Sequence, residues 1–141
     1  MITGGSGSCE MNNAVCGIKS VEIWNSKTGI SCLLPNLPYG RFSHSLDGPL
    51  LCGDGGMKGG ANKMNHRNDE CIKFDLTNGK WKKSHTLPEG RTNHISWNPP
   101  NGKGTYLIGD WLPNKPQSKT SVIVKQDGSV KKGFDLKYAT R

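Results

Sequence analysis

The chain has 141 residues, of which 33% are hydrophobic, with 19 glycines, 8 prolines and a net charge of +8. That length buries one sizeable core, and a composition poor in helix formers and rich in turn residues fits many short strands joined by tight turns. The glycines follow no short period, which excludes a fibrous chain; no run approaches the roughly 18 apolar residues of a membrane helix, and Met1-Ile2-Thr3-Gly4-Gly5-Ser6 lacks the basic and apolar regions of a signal peptide.

In chain order, Ile2-Thr3-Gly4-Gly5 reads as the end of a strand, followed by a loop from Ser6 to about Gly17. Alternation then predicts a strand over 20–24, a turn at Thr28-Gly29 and a strand over 30–34. The next stretch predicts four strands. They cover 42–46, 50–53 (running into Gly55-Gly56), 71–75 and 80–84. Asp47-Gly48 and Asn78-Gly79 are hairpin turn signals, and a long loop spans 57–70. Four more strands follow over 94–97, 105–108 (ending at Gly109-Asp110), 121–125 and 130–135. Their turns are Pro99-Pro100-Asn101-Gly102 and Asp127-Gly128, with a loop over 111–118.

These stretches are one pattern repeated. Leu37-Pro38-Tyr39-Gly40-Arg41-Phe42-Ser43-His44 returns 50 residues later as Leu87-Pro88-Glu89-Gly90-Arg91-Thr92-Asn93-His94, with five of eight positions identical. Chance gives a match at about one position in fifteen. Arg141 lies another 50 residues on. Labelling the strands of a unit a to d, the chain reads b-c-d over 1–40, a-b-c-d over 41–90 and a-b-c-d over 91–140, with Arg141 opening the next unit. A fixed period of this length is the signature of a repeat architecture.

The units resemble the kelch repeat. That pattern has a Gly-Gly doublet closing strand b, an aromatic opening the turn after strand c, a Trp seven residues later, then Leu-Pro and Arg-x-x-His. Gly55-Gly56, Phe74-Asp75 and Trp81 match it best. The first unit has Gly4-Gly5 and Trp24-Asn25, with Ser31 at the Trp position. The third has Gly109-Asp110 in place of the doublet, and Phe134 is expected to substitute for the missing Trp. The resemblance implies an all-β propeller of four-stranded antiparallel blades of about 50 residues. Propellers close with about four to eight blades. Under three are present, so the chain is expected either to belong to a longer propeller or to cover its open blades by self-association.

Arg41, Arg91 and Arg141 fall where the d–a loop enters strand a, and the resemblance implies a ring of arginines that receives acidic peptides through bidentate pairs. The alternative is that each arginine bonds loop carbonyls of its own or the next unit. His44 and His94 repeat with them, and packing is the expected role. Cys52 with Cys71, and Cys9 with Cys16, are candidate disulfides, which favour an oxidising, extracellular setting; free thiols are the other reading. The odd count of five cysteines leaves at least one unpaired. Zinc held by Cys52, His66 and Cys71 lacks the spacing of ligand pairs.

The basic excess sits in the second and third units: residues 1–50 hold three basic and three acidic side chains, 51–100 eight and five, 101–141 eight and three. This is either a solvated face or a surface for an anionic partner. Nucleic-acid binding is not expected, since Lys80-Trp81-Lys82-Lys83 is the sole basic–aromatic run. No catalytic motif is present, so no enzyme activity and no cofactor are expected. The reading is a protein-interaction module whose ligands dock on the d–a and b–c loops. The alternative is a segment of a sugar-processing or copper-oxidase-like propeller whose catalytic residues lie outside this chain.

Overall fold

The computed structural model describes residues 2–3, 6–8, 15–53, 68–100, 102, 104–110 and 118–138. The described residues are all-β, without a helix, in antiparallel sheets. The first sheet has three strands, β1 (Ile2–Thr3), β4 (Val21–Trp24) and β5 (Ser31–Leu34). The second has four in chain order, β6 (Ser45–Asp47), β7 (Leu50–Cys52), β8 (Glu70–Asp75) and β9 (Lys80–Thr86). The third repeats that order with β10 (Ile95–Trp97), β11 (Thr105–Ile108), β12 (Thr120–Val124) and β13 (Val130–Asp135). A separate hairpin pairs β2 (Ser6–Ser8) with β3 (Val15–Gly17), inside the stretch expected to be only a loop. Ser-Gly-Ser carries no apolar alternation, so the pattern that marks the other strands is missing there.

The sheets stack through two apolar layers that use opposite faces of the second sheet. Leu51 pairs with Ile72, and the adjacent Cys52 pairs with Cys71. Successive residues of a strand point to opposite faces, so these two pairs look in opposite directions. Leu51 and Ile72 join Val21 and Leu37 of the first unit, with Leu34, Leu46 and Trp81 packed around them. Cys52 and Cys71 join Leu87, Leu107, Val122 and Val124, with Leu50 and Val130 alongside. Burying each large side chain contributes about 1.5–3 kcal/mol. Polar bonds pin the same stacking: the Trp81 indole donates to the Pro35 carbonyl at 3.0 Å, and Ser96 Oγ donates to the Leu46 carbonyl at 3.2 Å.

The repeat is visible in the backbone. Leu37 N donates to Lys19 O at 2.8 Å and Leu87 N to Asp69 O at 2.7 Å. Arg41 N donates to Ile18 O at 3.2 Å and Arg91 N to Asn68 O at 3.3 Å. Every partner is 50 residues from its counterpart. In the third unit the equivalent bond, Lys119 O to Leu136 N at 2.7 Å, comes one residue early. The turn between strands c and d explains the slip. Phe74 pairs with Trp81, but Val124 pairs with Val130, across a turn one residue shorter.

Three expectations change as a result. Val130, not Phe134, takes the place of Trp81, and Phe134 stacks on Tyr106 with ring centroids 5.9 Å apart. Gly109 follows the Ile108–Ser121 pair as Gly53 follows Cys52–Cys71, so Gly53 and not Gly55 is its counterpart. Gly4, Gly5, Gly55 and Gly56 lie outside the described residues. Strand a was expected to begin at Phe42; it begins at Ser45, because Ser43 (φ 54°) and Asn93 (φ 52°) both turn the chain through the left-handed region.

Candidate functional site

The two repeated arginines sit at one edge of the sheets, where the segment joining one sheet to the next meets both ends of a long b–c loop. The Arg41 guanidinium spans that loop's base. Nη1 donates to the Gly53 carbonyl, just past β7, and to the Glu70 carbonyl, at the start of β8, both at 3.1 Å. Nη2 lies 3.2 Å from the Glu70 carboxylate and also donates to the Tyr39 hydroxyl. Arg91 repeats the brace one unit on. Its Nη1 donates to the Gly109 carbonyl at 2.8 Å and to the Thr120 carbonyl at 3.2 Å, and its Nη2 donates to Thr120 Oγ1 at 2.7 Å.

Both side chains are removed from solvent, Arg41 being 0% and Arg91 3% exposed. Of the two roles open at the sequence level, bonding of loop carbonyls is the one these two guanidinia occupy in the structure. Arg141 lies outside the described residues. Residue 141 also stands five positions after Leu136, whereas Arg41 and Arg91 stand four after Leu37 and Leu87.

The partners of the braces were not picked out from the sequence. Glu70 and Thr120 each lie 29 residues after their arginine, and that constant spacing was a usable signal. What hid them was chemistry, since a carboxylate in one unit becomes a hydroxyl in the next. Tyr39, which donates to Glu70 Oε2 at 2.6 Å, is replaced by Glu89 in the following unit. Its ring also lies under the Arg41 guanidinium, 4.4 Å from centroid to Cζ. Burial, then the hydrogen bond to Glu70, pushes the Tyr39 phenol well above its ordinary range. Asn68 completes the cluster by donating to the Tyr39 hydroxyl and accepting the Glu70 N–H at 2.9 Å.

Gly53 sets how closely the units approach. Its φ is +65°, and a Cβ there would run into the Arg91 carbonyl and the His94 ring. His94 is buried, and its Nε2 lies 2.7 Å from Ser45 Oγ on the second sheet. Burial, then the nearby Arg91 and His44, lowers its pKa to about 4. His94 thus links the second and third sheets through Ser45.

Cys52 and Cys71 form a disulfide across β7 and β8 at the root of the same loop. Cys32 on β5 is an exposed free thiol. The Cys9–Cys16 expectation lies outside the described residues, as do His66 and both b–c loop tips. Among the described residues, no group of three or more His, Cys, Asp or Glu side chains is placed to hold a metal.

No protein-family model matches the chain, and no curated protein does. Among solved structures, that of YjhT is similar to 96% of this chain with a TM-score of 0.70, at 16% identity. The match covers 48% of the YjhT chain, so this chain spans about half that length. At such identity the likeness is one of fold alone.

Proposed function

We propose that the chain is a segment of a kelch-type β-propeller acting as a protein-interaction module, with an acidic protein segment docking on the loops rooted at the arginine braces. The observation that carries this reading is the repeated brace. Each arginine ties the two ends of one b–c loop to the incoming d–a segment through backbone carbonyls. Loops with firmly held roots on a stacked-sheet scaffold are where binding residues accumulate. The buried arginines serve this face as supports, and the charge offered to a partner comes from the loops. In the sequence, residues 54–67 carry Lys58, Lys63 and Arg67 against Asp54, and residues 111–117 carry Lys115 and no acid. Met57, Met64 and Trp111 add apolar side chains of the kind that anchor protein partners. The propeller reading is supported by the 50-residue unit, by two sheets built on one a-b-c-d order and by the likeness to YjhT.

A fluorescein-labelled poly-glutamate peptide tests the docking face. Charge reversal of Lys58, Lys63 and Arg67 together should weaken its binding at least about ten-fold, because close charge pairs at an interface set both encounter and affinity. Reversal of Lys80, Lys82 and Lys83 on β9 should change it less than about two-fold, since exposed charges away from the contact contribute little. Equal losses in the two variants would mean that net charge alone binds the peptide, and would overturn the assignment.

A further inference from the structure

We propose that Ser84 is an activated nucleophile that takes the acyl group of a small carboxylic ester, with His85 as its general base. The two residues sit near the end of β9, the last strand of the second sheet. Cys71 pairs with His85 and Ile72 with Lys83, so Ser84 is the extra residue of a β-bulge. Along a regular strand, consecutive side chains point to opposite faces. A bulge breaks that alternation and re-aims a side chain. Here it brings Ser84 Oγ to 2.6 Å from Nδ1 of its own neighbour.

The far nitrogen of the ring fixes where the proton lies. His85 Nε2 is 3.1 Å from the Lys125 carbonyl, just past β12 of the third sheet. A carbonyl only accepts, so in the neutral imidazole Nε2 carries the proton and donates it to that bond. Nδ1 therefore keeps its lone pair, and the Ser84 hydroxyl donates to it. A nucleophile, a base within hydrogen-bond reach and a third group orienting the base are the parts of a nucleophilic site. The third unit has the same bulge, with Gly133 and Phe134 at these two positions. The bulge thus forms without either side chain, and the fold itself does not call for a serine and a histidine there.

Ser84 also lines a groove of about 500 Å³, within the roughly 300–1,000 Å³ of small-molecule sites. Phe74 and Leu76 give the groove an apolar part that suits an acyl group. Lys73, Lys82 and Lys83 line it as well, and Asp75, bonded to Lys82 at 2.6 Å, offsets one of these charges. In the reaction, Ser84 Oγ attacks the ester carbonyl carbon while its proton passes to His85 Nδ1. The lysines stabilise the negative charge that develops on the carbonyl oxygen. The carbonyl then re-forms, the bond to the leaving alcohol breaks, and His85 returns the proton to that oxygen. Water, deprotonated by His85, next attacks the acyl-Ser84 ester, releasing a carboxylic acid and restoring the hydroxyl. Asp75 and Leu76 lie at the end of β8 opposite Glu70 and the Arg41 brace, so this chemistry stands apart from the docking face.

The test uses the 141-residue chain with 4-nitrophenyl acetate. Acid-quenched protein should carry an acetyl group on Ser84, located by peptide mass mapping as an ester that hydroxylamine removes. Ser84→Ala puts a small residue where the third unit has Gly133, so it should keep its circular dichroism spectrum and lose that ester. His85→Gln should also keep the spectrum, and should slow Ser84 acylation and 4-nitrophenolate release at least about a hundred-fold, the range of a general base. Acetyl groups found only on lysines, as amides that resist hydroxylamine, would overturn the assignment. Ser84 acylated equally fast in His85→Gln would overturn it too, because the serine would then owe nothing to the histidine. Either failure leaves the docking reading untouched.

Discussion

His94 shows how one side chain couples the join between units to pH. Its imidazole is buried and its pKa falls from 6.5 to about 4 in the fold. Between those values the unfolded chain takes up a proton at this position and the folded chain does not, so acid favours unfolding. Stability should therefore fall as pH is lowered from about 6.5 to about 4, by roughly 3 kcal/mol across the window. His94→Gln keeps a hydrogen-bonding group near Ser45 and cannot be protonated. Urea midpoints measured at pH 7 and pH 4.5 should differ much less in that variant. The arginines make a second prediction. Arg41→Met strips a cation from the Glu70 carboxylate as well as from two carbonyls, and should cost about 3–5 kcal/mol. Arg91→Met strips the donors from the Gly109 and Thr120 carbonyls and from Thr120 Oγ1, and should cost at least about 2–3 kcal/mol. Urea unfolding of each variant checks these losses, and an unchanged midpoint would mean that the brace does not hold its loop.

At the scale of the element, the disulfide and the turns do different work. Cys52 and Cys71 are 19 residues apart and close the b–c loop at its root. Removing that link by Cys52→Ala with Cys71→Ala should cost about 3 kcal/mol, the loop-closure entropy for this length. A thermal melt that barely shifts would mean that β7 and β8 hold their register without it. The strands themselves were largely legible. β11 and β13 match their expected limits, and most others begin or end within one or two residues. Alternation and Gly-containing turns act locally, so local sequence reports them. The start of strand a did not show. Ser43 and Asn93 adopt positive φ to place the chain against the neighbouring sheet, where Asn93 N donates to Ser43 O at 2.9 Å. Nothing nearby in sequence demands that.

For the whole molecule, strand alternation, Gly-containing turns and the 50-residue period together determined an all-β chain of repeated units. Identical residues at a constant offset build the same hydrogen bonds each time, as at Leu37 and Leu87. The period also located the arginines at the join between one sheet and the next. Only the tertiary structure decided what those arginines do, because their acceptors are backbone carbonyls of residues far along the chain, and carbonyls leave no mark in a sequence. It also decided which glycine closes strand b, where one shortened turn shifts the third unit, and which face of the second sheet meets each neighbour. Each of these depends on register between strands. Register is set by pairing across space, and a run of residues carries it only in part.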